Sequence, residues 1–333
     1  MRILLERIRK IWNPAIYQGK MNMKGYFEGW YFKIVDESEE NIYAIIPGIS
    51  FGKDGTAHAF IQFFDGKAAK MKYFEYDQNQ FRAKQDHFEV RIGKNVFNSE
   101  GLELDIEQGE DKIKGKLAFG QIIGWPVKFF SPGAMGWYRF VPRMECYHGV
   151  ISFDHELKGK LAINGKKVDF TGGRGYIEKD YGRSFPSYYL WGQTNHFDET
   201  GVSLMVSFAK IPWLGSYFDG FIIGVLQGDN LYRFATYTGA KIMKLKLDDK
   251  KVIIHVEDRK HKLEMEAIRT AEVQLASPIE GSMTGRILES ITAKINVKLI
   301  EYKKKEERIL FEGQGRNAGL DIGGKINEIP TIE

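Results

Sequence analysis

Residues 172–197 read GGRGYIEKDYGRSFPSYYLWGQTNHF, and nowhere else in the 333-residue chain do acids, aromatics and amides crowd together at strand spacing. The stretch from Gly175 to Tyr181 has no helical period. As an extended strand it turns Tyr176, Glu178 and Asp180 to one face and Ile177, Lys179 and Tyr181 to the other, because successive side chains alternate. Turn residues follow from Gly182 to Pro186, and alternation resumes with Tyr189, Trp191, Gln193 and Asn195 on one face. A face that mixes acids, amides and rings is poor material for a dry core, since each buried polar group needs a partner. It suits the wall of a cavity.

On either side of this stretch the chain reads as strands and turns. GYFEGWYFKIV (25–35), NIYAIIPGISF (41–51) and AHAFIQFF (57–64) alternate or run apolar between turn residues, and shorter strands follow as far as a Gly- and Pro-rich passage at 120–136. The pattern breaks near SPGAMGWYRFVPRM (131–144) and restarts at ECYHGVISF. Short strands at regular spacing predict an all-β protein of sandwich or barrel type. The break predicts two domains, 1–145 and 146–333. Gly25-Tyr26-Phe27-Glu28 and Gly175-Tyr176-Ile177-Glu178 give both halves a similar opening, which suggests a duplication with Glu28 and Glu178 at related positions. A barrel or cupped sheet of about eight strands has room for one small apolar ligand.

Composition narrows the function. A formal net charge of +4 gives no warrant for nucleic-acid binding. The lone Cys146 excludes an internal disulfide and fits a reducing cytoplasm. No apolar run approaches the roughly 20 residues of a spanning helix, and no signal peptide is expected, so the expected location is cytoplasmic. The start, MRILLERIRKIW, is the one helical pattern, with Leu4, Leu5, Ile8, Ile11 and Trp12 as an apolar stripe among basic residues. The plainer reading of residues 1–12 is a helix packed on the body; the sharper one is a weak membrane-surface contact.

Several motifs resemble the tocopherol cyclase family in order and spacing. They are WNPAIYQG (12–19), YFEGWYFK (26–33), SPGAMGW (131–137), MECYHGVIS (144–152), DFTGGRGYIEKDYGRSFP (169–186), WGQTN (191–195) and RNAGLDIGG (316–324). The likeness covers nearly the whole chain. It implies two lipocalin-like antiparallel β-barrel or cupped-sheet domains, related to those of carotenoid 1,2-hydratases, preceded here by the short N-terminal helix. It also implies an intramolecular lyase of the isomerase class, which closes a prenylated benzoquinol to a chromanol without a cofactor. Its partner would then be a hydrophobic prenylated aromatic small molecule.

That chemistry needs a proton on a trisubstituted alkene, a tertiary carbocation, and attack by the phenol oxygen. Glu178 and Asp180 are the candidate acids, because two carboxyls sharing one strand face, or one in an apolar cavity, resist ionisation. The plainer reading makes them surface ion-pair residues with Lys179. Glu28 is a further candidate, either in the cavity or at its mouth. His148 could orient the phenol or act as its base, or serve as a structural donor. His58 is a weaker cavity candidate. Trp30, Tyr31, Tyr176 and Trp191 offer rings to steady a cation. Gln193 and Asn195 could hold the quinol oxygens or satisfy backbone at a turn, and Glu145 joins them as a substrate-binding candidate. Cys146 and His148 share a face, but no further Cys or close His completes a zinc spacing, so no metal is expected. Two rivals remain: a hydratase of an isoprenoid or carotenoid-like chain, and an isoprenoid quinol carrier without catalysis.

Overall fold

The structure, a computed structural model, describes residues 9–248, 250–303 and 306–333. Most of the described chain is antiparallel strand, gathered into two large sheets. It divides into two compact units: the chain up to Phe185 together with Leu275–Arg286, and Pro186–Gln274 together with Ile287–Glu333. The all-β, two-domain lipocalin-like architecture implied by the sequence is therefore what the chain adopts, in its cupped form. The hydrogen-bonded path of the first sheet runs from Lys70–Asp77 at one end to Phe81–Ala83 at the other without closing into a barrel. Of the expected N-terminal helix, Arg9, Lys10 and Ile11 are helical; residues 1–8 lie outside the described residues.

The domain boundary moves. The expected division at 145/146 falls immediately before the strand Cys146–Ile163, and that strand pairs with Arg174–Gly182 on one side and Asp111–Phe119 on the other, inside the first sheet. The Gly- and Pro-rich passage before it is a long connection within one unit. The duplication is also overturned. Tyr26–Val35 and Arg174–Gly182, which carry the two similar openings, are neighbouring antiparallel strands of the same sheet.

Around the centre of the first sheet the order is Ile42–Phe51, Tyr26–Val35, Arg174–Gly182, Cys146–Ile163. Tyr26, Trp30, Phe32 and Ile34 alternate onto the face that forms the apolar core, where Ile177 joins them. Antiparallel partners directly opposite share a face, so the register Trp30↔Lys179 and Glu28↔Tyr181 sends Lys179 and Glu28 to the core side as well. Both are buried, and Lys179 Nζ lies 2.5 Å from Glu28 Oε1. Glu28 also accepts from Tyr26 Oη, from Gln18 N at 2.8 Å and from Gly19 N at 3.0 Å. Lys179 donates in addition to the carbonyls of Pro14, at 3.0 Å, and Ile16, at 2.5 Å. Burial, opposed by the charge of Glu28, brings the Lys179 pKa down to about 8. The pair thus binds residues 14–19 to the inner face of the sheet.

The second unit repeats the antiparallel theme with its own apolar core, in which Leu190, Val206, Ile223, Val256, Ile295 and Leu320 take part. Its strand Tyr188–Thr194 lies between Val202–Trp213 and Glu306–Gly324.

Removing one member of a buried ion pair leaves a bare charge out of water, which costs about 3–5 kcal/mol. Lys179→Met should therefore lower stability by that amount, and the double change Glu28→Gln/Lys179→Met should lower it less. Denaturant unfolding measures both, and a Lys179→Met protein as stable as its parent would exclude this role for the pair.

Candidate active site

The opposite face of the same strands holds a different charge system. Tyr176, Glu178 and Asp180 share that face, as their spacing predicts, and the register brings Tyr31 opposite Glu178 and His148 opposite Asp180. Gly182 makes the close approach of the two strands possible. Its φ is +155°, and a Cβ there would come within 2.2 Å of the Glu145 carbonyl oxygen. Cys146, opposite Gly182, and His148 are consequently held tightly against the end of the strand that carries Asp180.

His148 is the hub of this group. Its Nδ1 lies 3.0 Å from Asp180 Oδ1, and its Nε2 lies 3.8 Å from Glu178 Oε2. The His148 side chain is 11% exposed, that of Glu178 4% and that of Asp180 26%. Tyr176 Oη donates to Glu178 Oε2 at 2.6 Å, and Cys146 Sγ lies 3.8 Å from Asp180 Oδ1. Burial works against the charged imidazole, but the charges of Glu178 and Asp180 and the hydrogen bond that the imidazole donates to Asp180 outweigh it, and the His148 pKa rises to about 9. Burial, then the neighbouring carboxylates, pushes the Tyr176 hydroxyl and the Cys146 thiol well above their ordinary values. At neutral pH the group therefore contains an imidazolium, a neutral phenol and a neutral thiol. The proton on His148 Nδ1 is committed to Asp180. Among the described residues, Nε2 has no hydrogen-bond partner, although it is buried. The Glu178 carboxylate, at 3.8 Å, stands beyond hydrogen-bond distance of it.

His148, Glu178 and Asp180 each offer one ligand atom, all within 4.8 Å of one another, so the trio has the composition to hold a cation. Cys–His spacing did not foresee this trio, because its members meet across two strands. A metal would have to displace the proton from His148.

The other expected residues are dispersed. Glu28 is on the core face, with its oxygens fully engaged. Trp30 is there too, its Nε1 donating to Ala15 O at 2.8 Å and its ring 6.0 Å from Phe88, so it is a core residue. Glu145, just ahead of Cys146, is half-buried, and burial raises its pKa against the pull of Arg183. His58 is satisfied by Tyr73 Oη at 2.7 Å. Trp191, Gln193 and Asn195 are buried in the second unit. Trp191 stands opposite Asp321, which accepts from Tyr189 Oη at 2.6 Å. Asp321 was missed although its motif, RNAGLDIGG, was recognised as distinctive. Lys33 was missed as well: it is fully buried and stands opposite Tyr176. Its only signal was a lysine in an otherwise apolar run.

A family profile described as tocopherol cyclase-like matches residues 106–324. The chain is 24% identical over 213 residues to the chloroplastic tocopherol cyclase of Zea mays, a match that covers 61% of this chain and 44% of that protein. The chain thus spans less than half the length of this relative. Among solved structures, CghA with Sch210972 superposes with a TM-score of 0.54 at 9% identity, covering 90% of this chain and 88% of that one. Kievitone hydratase from Nectria haematococca gives 0.52 at 10% identity, covering 90% and 89%. These two likenesses concern the fold. Among the described residues, no helix is long and apolar enough to cross a membrane.

A histidine whose folded pKa of about 9 exceeds its ordinary 6.5 binds its proton more tightly folded than unfolded. Its contribution to stability is therefore complete below pH 6.5 and is lost as pH rises through 9. The stability difference between the parent and His148→Gln should shrink by about 3 kcal/mol between pH 6 and pH 10. Urea unfolding across that range measures it, and a flat difference would mean that His148 is not held as imidazolium.

Proposed function

Because the chain belongs to the tocopherol cyclase-like family, we propose that it closes the ring of a prenylated benzoquinol, with the His148–Glu178–Asp180 group supplying the proton. The observation that carries this reading is the buried imidazolium whose Nε2 makes no hydrogen bond and has Glu178 Oε2 at 3.8 Å. In the proposed reaction, His148 Nε2–H protonates the alkene carbon that bears hydrogen, and the cation forms at the tertiary carbon. The phenol oxygen attacks that carbon, and the phenolic proton returns to the group. The product is an isomer of the substrate, and His148 is again protonated. No redox step occurs.

Each neighbour has a part in this scheme. Asp180 fixes the Nδ1 proton, so that Nε2 alone faces the alkene. Glu178, held by the Tyr176 hydroxyl, lies near enough to stabilise positive charge through the reaction and to receive the phenolic proton. The rings of Tyr31 and Tyr176 flank Glu178 on the same face, and a desolvated cation over an aromatic face gains about 2 kcal/mol or more. The low exposure of His148 and Glu178 favours capture of the cation by the internal phenol over capture by water. Sheltering of this kind distinguishes a cyclase from a hydratase.

Incubation with a prenylated benzoquinol followed by mass spectrometry and chromatography tests the reading. A product of unchanged mass with chromanol retention is expected; addition of one water would identify a hydratase, and recovered substrate a carrier. His148→Gln and Glu178→Gln should lower turnover by about 100-fold or more, the scale of a lost general acid, while ligand binding persists. Turnover should also fall as pH rises through about 9. Full activity in both variants would remove the proton-donor assignment.

A further inference from the structure

The connection between the Asp111–Phe119 and Cys146–Ile163 strands exposes an unusual amount of aromatic surface. Phe129 and Phe130 are 68% and 79% exposed, and Val127, Trp137 and Phe140 are also largely solvent-facing. The rings are grouped. The Phe129 and Phe130 centroids lie 4.9 Å apart, and Trp12 stacks on Phe129 at 5.5 Å and meets Phe140 edge-on at 5.7 Å. Trp12 Nε1 donates to Phe129 O at 2.9 Å, and Arg139 donates to the carbonyls of Lys10 and Ile11 at 3.1 and 3.3 Å. The connection and the N-terminal segment therefore form one surface.

The charge on that surface has one sign. From Arg9 to Phe27 there is no Asp or Glu, and there is none from Gly120 to Met144, although the whole chain carries 44 acids against 48 basic residues. Arg9, Lys128 and Arg143 are exposed. A protein that only needed solubility would not combine exposed phenylalanines with cations and exclude every acid from both segments. A surface of interfacial aromatics ringed by Lys and Arg is what an anionic bilayer attracts, the rings settling at headgroup level and each basic group drawn to the negative surface.

We infer that Trp12, Phe129, Phe130 and Phe140, with Arg9, Lys128 and Arg143, form a docking surface for an anionic lipid bilayer. The surface is continuous with the proposed site along the chain. Tyr147 Oη donates to Val141 O at 2.6 Å and accepts from Met144 N at 3.3 Å, so the end of the connection is fastened to the residue that precedes His148. A prenylated aromatic dissolves in lipid far better than in water. Tyr147 itself lies opposite Tyr181 on the core face, while His148 turns to the other face of the same strand.

Flotation of the full chain with vesicles tests this inference without any turnover, so its failure would leave the cyclase reading standing. The protein should float with vesicles of phosphatidylcholine and phosphatidylglycerol, should float poorly with phosphatidylcholine alone, and should be released by high salt. Brominated acyl chains should quench its tryptophan fluorescence. The double variant Phe129→Ser/Phe130→Ser should bind roughly tenfold more weakly or worse, with an unchanged melting temperature because both rings face solvent, and Lys128→Glu should weaken binding to anionic vesicles. Absence of flotation, equal binding to neutral vesicles, or undiminished binding by the double variant would overturn the inference. So would light scattering that shows a dimer of this chain dissociated by the double variant, since the patch would then be an interface between copies.

Discussion

The antiparallel register of three central strands governs both charge systems of the first unit. With Trp30 opposite Lys179 and His148 opposite Asp180, the pleat sends Glu28 and Lys179 into the core and sends Glu178, Asp180 and His148 to the other face. A slip of one residue would exchange the faces. On the core side, one carboxylate meets one ammonium group, and backbone donors satisfy what remains. On the other side, the carboxylates of Glu178 and Asp180 meet the imidazole of His148, and the buried Lys33 shares that face. The two carboxylates outweigh the cost of burial and hold a proton on His148.

An imidazolium held in this way is reliably charged but also reluctant to give up its proton. The carboxylates that secure the proton make it a weaker acid, and an alkene is a poor base. The resolution lies in treating the trio as one titrating group, in which the proton belongs to the set of three bases and not to a single atom. Glu178, already engaged by the Tyr176 hydroxyl, and Asp180, which is more accessible, differ in how well they can take part.

Local pattern made the fold class and the pairing of Tyr176, Glu178 and Asp180 on one face legible, because parity along a strand is a property of the strand alone. What it could not supply was which strand lies beside which. His148 reaches Asp180 across 32 residues, and Tyr31 meets Glu178 across nearly 150, through a register that no local signal encodes. The same blindness produced the errors. Similar openings at Glu28 and Glu178 looked like duplicated domains, whereas they are adjacent strands facing opposite ways. The restart of strands after Met144 looked like a boundary, whereas the chain was returning to its first sheet. Trp191 and Gln193 lie two apart in the strand Tyr188–Thr194, with Asn195 just past its end, but Phe185–Pro186 is where the chain passes to the second unit.

A lipid-soluble substrate of the kind proposed would place its own physical demands on the His148 group and on the exposed rings. A site that protonates an alkene must exclude water, so it is ill suited to capturing a greasy molecule from solution, where such a molecule scarcely exists as a monomer. Aromatic surface on the body of the protein would be costly unless something other than water covers it. Absence of acids from the two segments that form this surface follows from the same requirement, since a single carboxylate would repel an anionic interface. The strand register that sets the proton in place and the connection that bears the rings meet at Tyr147, where Val141 and Met144 hold its hydroxyl and its ring stacks on Tyr181 at 4.7 Å. Arg139, over both rings and bound to the N-terminal carbonyls, joins the three parts. The residue that anchors the exposed connection and the residue that carries the imidazole are thus neighbours in sequence on opposite faces of one strand.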